Sequence, residues 1–292
     1  MTSTIRKKTR IAEILVEALP YIKRFHGETA VIKYGGSVLV DDELKESFAV
    51  DITLLKYVGI NPIVVHGGGR EITRWMQKLG KEPVFLNGLR VTDAEIMEIT
   101  EMVLSGKINS ELVSLINRHG GKAVGLSGKD ANVFTARKMR PVDNQDLGFV
   151  GEIETTDVSL IKTLSDKGYI PVVSSVGESL HGETLNLNAD YVAAGIASAL
   201  QALKLIYLTD VDGIVLDGEV LPEFNLNEAE DLLTHPGITS GMIPKLECCV
   251  RAIKDNVSHV HIINGSILHS VLLEIFTDIG IGTKITYTKR TS

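Results

Sequence analysis

A lysine beside a double glycine and a second turn of three glycines are the residues here best suited to holding an anion. Ala30-Val31-Ile32-Lys33-Tyr34-Gly35-Gly36-Ser37 and Pro62-Ile63-Val64-Val65-His66-Gly67-Gly68-Gly69-Arg70 share one design. Each is a short β-branched run that ends in glycines and gives way to helical periodicity. Strand, glycine turn, helix leaves unhindered backbone N–H groups and a positive helix end at one edge of a sheet. Lys33 adds a full charge at the C-terminal end of its strand, where ligands bind in open α/β sheets. The two turns fit adjacent strands of one βαβ unit. A surface lysine and a mere tight turn are the bland alternatives. At matched ends of neighbouring strands, both weaken together.

Rival chemistries fail on missing parts. His66-Gly67-Gly68-Gly69 could be the oxyanion loop of an α/β-hydrolase, but the G-x-S-x-G nucleophile turn is absent. Its nearest match, Gly125-Leu126-Ser127-Gly128-Lys129, fails at the last position. Ala30-Val31-Ile32-Lys33 looks like the lysine strand of protein kinases, yet no H-R-D loop or D-F-G follows. The four Gly-Lys pairs all lack the Ser or Thr that a Walker loop needs. No G-x-G-x-x-G follows a strand, which argues against a dinucleotide fold. Phosphate chemistry without any of those loops is what remains.

The totals narrow the class further. The 30 basic and 37 acidic side chains give a net charge of −7, which argues against a general nucleic-acid binder. Hydrophobic residues at 44% are ordinary for a globular protein, and 292 residues suffice for one large domain or two modest ones. Cys248 and Cys249 are adjacent and form no C-x-x-C. A reduced pair inside a helix, in a reducing compartment such as the cytoplasm, is the expectation. No apolar run reaches the length of a membrane span, and no signal-type stretch follows the basic Arg6–Arg10.

The elements that must position these residues follow from periodicity. Residues 4–25 read as an amphipathic helix, with Pro20 expected to kink or break it. Its apolar face needs a partner, either its own domain or another subunit. Strands are predicted at 29–34, 61–66, 122–126, 132–137, 149–154, 169–174, 205–209, 259–263 and 283–288. Helices are predicted at 42–57, 69–80, 93–105, 108–118, 157–167, 189–202, 227–234, 243–256 and 266–276. Asn87-Gly88 and Asp217-Gly218 mark hairpins. Thr92-Asp93-Ala94-Glu95 reads as a capping box. The stretch 177–182 is the best linker on composition. The first part of the chain therefore alternates around a mostly parallel sheet with antiparallel additions, an α/β fold.

Eight motifs in order then carry a resemblance over nearly the whole chain. They are Lys33–Ser37, Val65–Gly69, Asn87–Thr92, Leu126–Asp130, Gly148–Gly151, Leu185–Asp190, Leu208–Gly213 and Gly241–Lys245. Together they resemble the amino-acid kinase family, and within it the branch that acts on N-acetyl-L-glutamate in arginine biosynthesis. The resemblance implies a three-layer αβα sandwich with an extra N-terminal helix. Residues 1–27 would be an oligomerisation helix. Residues 28–180 would form an N-lobe for the amino-acid substrate and dimer contacts, and 181–292 a C-lobe for ATP and an effector.

The implied reaction moves the γ-phosphoryl of ATP to a side-chain carboxylate, which is ionised at neutral pH and needs no general base. By analogy, Lys33 and Lys245 stabilise the transferring group, and Asp190 holds both lysines. Gly35, Gly36, Gly68 and Gly69 would donate N–H bonds, Arg90 would grip the α-carboxylate, and Asn186 would bind substrate. Thr209, Asp210 and Asp212 would lie near the nucleotide, and Mg²⁺ would ride on the ATP phosphates.

Arginine-inhibited members share a kinked helix before the first strand and a stretch like Glu274–Thr283. That implies a hexamer built as a trimer of dimers, with Tyr21, Lys204, His261, Glu274 and Gly280 near an arginine effector. A nitrogen-signalling regulator is a further candidate partner. Two alternatives stay open. One is a kinase for glutamate, aspartate, carbamate or UMP, which Arg90 disfavours. The other is a non-catalytic arginine sensor, which intact Lys33, Asp190 and Lys245 disfavour.

Overall fold

A computed structural model describes residues 3–36, 41–141, 145–238, 241–277 and 280–287. Ser37, Asp278 and Ile279, which belong to the motifs above, lie outside them. The chain opens with α1 (Ser3–Phe25), β1 (Thr29–Tyr34), α2 (Asp42–Tyr57), β2 (Asn61–His66), α3 (Gly69–Lys78) and the hairpin β3 (Phe85–Leu86) and β4 (Leu89–Arg90). It continues with α4 (Ala94–Glu101), α5 (Asn109–Arg118), β5 (Ala123–Leu126), β6 (Phe134–Lys138), β7 (Val150–Thr156), α6 (Ser159–Asp166) and β8 (Ile170–Ser174). Then come β9 (Val176–Glu178), β10 (Thr184–Leu187), α7 (Ala189–Leu200), β11 (Lys204–Thr209), β12 (Val215–Leu216), β13 (Glu219–Val220) and β14 (Glu223–Asn225). The last elements are α8 (Leu226–Leu232), α9 (Ile243–Lys254), β15 (His259–Asn264), α10 (Ser270–Phe276) and β16 (Gly282–Thr286).

The central sheet has the order β14-β16-β15-β11-β1-β2-β8-β5. It is parallel from β15 through β5, and β16 turns antiparallel to β15. β2, β8 and β11 are almost wholly buried runs, as strands covered on both faces must be. Val31, Val65 and Leu205 face a layer of α6, α7, α8 and α9. Ile32, Val64 and Ile206 face α2, α3, α4, α5 and α10. This is the three-layer α/β sandwich around a mostly parallel sheet. β1 lies mid-sheet, with the next strand on one side and β11 on the other. The strand order thus reverses beside the Lys33 turn, the place where open sheets bind ligands.

Local expectations hold for most elements, and the departures have physical causes. α1 runs through Pro20 without a break. One proline removes only one backbone donor, and the flanking turns keep theirs. Asp93 rather than Thr92 caps α4: its carboxylate accepts the Ile96 N–H at 2.8 Å, while the buried Thr92 hydroxyl donates to the Arg90 carbonyl. The break expected near Gly106 is a π-helix over Met102–Ile108 that joins α4 to α5. Burial of Val103, Leu104 and Ile108 outweighs the glycine's helix cost of about 1 kcal/mol.

The composition-based linker at 177–182 includes β9 and the turn of a hairpin with β10. These two strands close a small barrel in the order β10-β7-β6-β9. No local pattern announces that barrel, because its strands are short and the pairings that close it, β10 with β7 and β6 with β9, join distant parts of the chain.

α1 packs on α10 through its last turn, where Phe25 is buried. Earlier on the helix, Leu15 is 65% and Val16 68% exposed, so much of its apolar face is uncovered in a single chain. Cys248 and Cys249 are free, buried in α9. Among the described residues, no helix is long and apolar enough to cross a membrane, and no group of His, Cys, Asp or Glu could hold a metal ion.

Candidate active site

The site begins with a lysine folded back over a glycine. β1 ends at Tyr34, so the chain turns just past Lys33, and a Cβ on Gly35 would lie 2.6 Å from the Lys33 Nζ. Gly36 has φ +70°, and a Cβ there would lie 2.4 Å from Asp210 Oδ1. Only glycine meets both demands. Asp210 in turn accepts from Arg70 at 2.9 Å. That pair joins the end of β11 to the start of α3, across both glycine turns.

Lys33 and Lys245 converge on one carboxylate. Lys33 Nζ lies 2.9 Å from Asp190 Oδ1, and Lys245 Nζ lies 2.8 Å from Oδ2. Asp190 sits in the first turn of α7, with its own N–H held by the cap residue Asn188 at 2.8 Å. Lys245 stands in the first turn of α9, behind Pro244. Burial penalises the Asp190 charge, but the two ammonium groups outweigh it and hold the carboxyl at about 2. Burial likewise opposes the Lys245 charge, and Asp190 overrides it, so this lysine titrates above its ordinary value. A carboxylate so committed is a poor base and a firm anchor.

Beside this pair lies a cavity of about 310 Å³ lined by Lys33, Gly35, Gly36, Gly67, Gly68, Gly69, Arg90 and Asn186. Gly69 opens α3, so the helix end faces the cavity. The π-helix presses on it from behind: a Cβ on Gly68 would lie 2.3 Å from Ile108 Cδ1 and 2.7 Å from Leu104 Cδ2. Widened turns of this kind often occur where a helix must re-aim side chains at a site.

Arg90 is buried, not a surface ion-pair residue. Its guanidinium donates to the Gly69 carbonyl at 2.9 Å, the Thr73 hydroxyl at 2.8 Å and the Met76 sulfur at 3.1 Å. It also lies over the Phe85 ring at 4.7 Å. Burial pulls its pKa down. All of these partners are uncharged, so the cation lines the cavity without a carboxylate among them. Asn186 donates to the Thr92 hydroxyl at 3.3 Å. Thr209 bonds backbone at the end of β11, and Asp212 accepts from Asn264 at 2.7 Å.

A second cluster lies elsewhere. Lys204 Nζ is 3.3 Å from His261 Nε2, and His261 Nδ1 is 2.6 Å from Glu274 Oε1. Glu274 also accepts the Ile281 N–H at 3.1 Å, and a Cβ on Gly280 would lie 2.9 Å from its Oε2. Burial moves Lys204 down to about 8 and His261 down to about 4. Burial works against the Glu274 charge, yet His261 and Lys204 hold its carboxyl below the ordinary range. The Phe25 ring at the end of α1 lies 5.1 Å from the Lys204 Nζ. Tyr21 is half-buried one turn earlier.

The residues expected to act together are thus grouped in two places. Thr73 and Phe85 around Arg90, and Leu104 and Ile108 behind Gly68, were not expected. Only the Arg90 hairpin had a local signal, since Phe85 lies opposite Arg90 across Asn87-Gly88.

The model of the amino acid kinase family matches residues 28–264. An acetylglutamate kinase of Syntrophobacter fumaroxidans is 53% identical over 96% of this chain and 97% of its own. Another, from Desulforamulus reducens, is 54% identical over 94% of this chain and 96% of its own. Among solved structures, N-acetylglutamate synthase from Neisseria gonorrhoeae superposes with TM-score 0.86 at 32% identity. It was solved with coenzyme A and N-acetyl-glutamate, and also with coenzyme A and L-arginine. This chain spans 64% of that longer one. The chain belongs to the amino acid kinase family, and within it groups with the acetylglutamate kinases.

Proposed function

We propose that this chain transfers the γ-phosphoryl group of ATP to the γ-carboxylate of N-acetyl-L-glutamate and is inhibited by arginine. The observation that carries the substrate reading is Arg90. Among the described residues its partners are all neutral, and this buried guanidinium lies in the cavity that also holds Lys33 and the glycine turns. A substrate α-carboxylate would supply the missing charge. Asn186 would take a polar group of the same substrate.

In the transfer, a carboxylate oxygen bonds to the γ-phosphorus as the bond to the ADP oxygen breaks, and no proton moves. The obstacle is repulsion between two anions, so the chain's task is positioning and neutralisation. Lys33 serves the acceptor side and Lys245 the nucleotide side. Asp190 keeps both in place. Gly35, Gly36, Gly68 and Gly69 offer N–H groups to the phosphoryl oxygens. Thr209, Asp210 and Asp212 border the nucleotide, whose phosphates carry Mg²⁺.

The domain reading assigns 1–27 to oligomerisation, 28–180 to substrate and dimer contacts, and 181–292 to ATP and effector. Arginine would bind at Lys204, His261, Glu274 and Gly280, with Tyr21 from α1, and Glu274 is a fitting guanidinium partner. The uncovered apolar face of α1 suits pairing with another copy, in a hexamer. A cytoplasmic setting and a nitrogen-signalling partner complete the reading. A coupled ADP-release assay with N-acetylglutamate, glutamate and aspartate, each with and without arginine, tests it. Turnover confined to the acetylated substrate and suppressed by arginine is expected. Equal turnover with glutamate would overturn the substrate assignment, and indifference to arginine the effector site.

A further inference from the structure

His66 precedes the glycine triplet, and none of the roles above uses it. It is completely buried at the end of β2. Its ring has two neighbours, Asn109 on one nitrogen and the Gly67 carbonyl on the other. Asn109 Nδ2 lies 3.0 Å from His66 Nε2 and 2.9 Å from the Val172 carbonyl. A carbonyl can only accept, and Nδ2 also lies 3.4 Å from the Leu126 carbonyl, so this atom of Asn109 is the amide nitrogen. One hydrogen serves the Val172 carbonyl and the other serves Nε2, which is nearer than Leu126. Nε2 is therefore the acceptor. Burial pushes the ring down to about 4, so it carries a single proton at neutral pH. That proton must be on Nδ1, which lies 3.1 Å from the Gly67 carbonyl oxygen.

The consequence lies on the other side of the peptide. There are no cis bonds among the described residues, so the Gly68 N–H is antiparallel to the Gly67 C=O. A carbonyl held toward His66 sends the Gly68 N–H the opposite way. The other two carbonyls of the triplet are also held: Gly68 by the Ile72 N–H at 2.9 Å, and Gly69 by Arg90. We propose that His66, as its Nδ1–H tautomer selected by Asn109, is a positioning residue that clamps the Gly67 carbonyl and aims the Gly68 N–H at the transferring phosphoryl group. This rests on the phosphoryl-transfer reading of the site.

Isosteric substitutions test it. The amide nitrogen of asparagine occupies the place of Nδ1, and that of glutamine the place of Nε2. His66→Asn keeps a donor to the Gly67 carbonyl, and kcat should stay within about tenfold of the parent. His66→Gln and His66→Leu remove it, and kcat should fall by roughly 10²-fold with KM for the acceptor little changed. A purely structural role predicts the reverse order, because glutamine fills the buried space better than asparagine. Glutamine equal to or better than asparagine in kcat would therefore overturn the clamp.

A second readout needs no substitution to fold. In the ¹⁵N-histidine-labelled parent, the ring signal lost in His66→Asn, or otherwise assigned to His66, should show a protonated Nδ1 and a bare Nε2. The opposite tautomer would sink the proposal. An inactive parent would instead count against the phosphoryl-transfer reading.

Discussion

Asp190 meets two lysines and leaves neither of its oxygens spare. That arrangement makes the three residues one unit with unequal parts. Lys33 and Lys245 can each meet a developing charge, and Asp190 prevents them from repelling each other apart. Lys33→Ala or Lys245→Ala should lower kcat by roughly 10²–10³-fold, the scale of one lost transition-state donor. Near-parental turnover in steady-state assays would remove that lysine from the mechanism. Arg90→Lys should raise the apparent KM for the acceptor with a smaller change in kcat. Lysine's three donors all sit on one atom, so it cannot reproduce the planar fork that holds the Gly69 carbonyl and the Thr73 hydroxyl while presenting further N–H groups to a carboxylate. An unchanged KM would mean that the α-carboxylate binds elsewhere. Asp190 also makes an acid-sensitive contribution to stability. Its folded value of about 2 lies below the unfolded carboxyl range, so the contribution is full above the unfolded value. It disappears as pH falls toward 2. Denaturant midpoints from pH 6 down to 2 should show Asp190→Asn converging with the parent at the acid end.

At the scale of elements, α2 and α10 are joined by a latch distinct from the active site, between a buried Asp51 and a half-exposed His269. Asp51 on α2 accepts from the His269 ring at 2.6 Å and from the backbone of Val271 and Leu272 at the start of α10. Ser47, one turn earlier, accepts the His269 N–H at 2.8 Å. Burial raises the Asp51 carboxyl to about 6, and the donors from α10 oppose that shift without cancelling it. A carboxyl raised on folding binds its proton more tightly in the folded state. Stability is therefore lost as pH rises from the unfolded value through about 6. Asp51→Asn removes the titration, so its stability relative to the parent should improve between pH 4 and 7. Parallel pH profiles for the two proteins would refute this ionisation. The latch also matters for position, since Glu274 of the second cluster lies on the helix that Asp51 caps.

At the scale of the molecule, one sheet carries both glycine turns and the Lys204–His261–Glu274 cluster. Lys204 begins β11 and Thr209 ends it, so a single strand runs from the second cluster toward the Asp210–Arg70 pair beside the glycine turns. α1 reaches that cluster through Phe25 and leaves Leu15 and Val16 uncovered. Deleting residues 1–20 keeps Phe25 in the core and removes the uncovered face. On the proposed hexamer reading, the deletion should leave dimers in sedimentation, with turnover within about twofold, since among the described residues the cavity is lined from elements after α1. A truncated protein that still sediments as a hexamer would place the trimer contacts elsewhere.

Much of the fold was legible in order along the chain. The alternation of strands and helices, the hairpin at Asn87-Gly88 and the two glycine turns are local patterns. Periodicity, turn chemistry and the freedom of glycine are properties of neighbouring residues, and neighbours are what a sequence displays. Lys33 at a strand end was legible for the same reason. The β10-β7-β6-β9 barrel was not, because the pairings that close it, β10 with β7 and β6 with β9, join residues far apart in the chain. Nor was the π-helix, which sets Leu104 and Ile108 directly against Gly68. The proton on His66, the depressed carboxyl of Asp190 and the raised one of Asp51 depend on burial and on partners from other elements. Those quantities exist only once the chain has packed, so tertiary structure alone decided them.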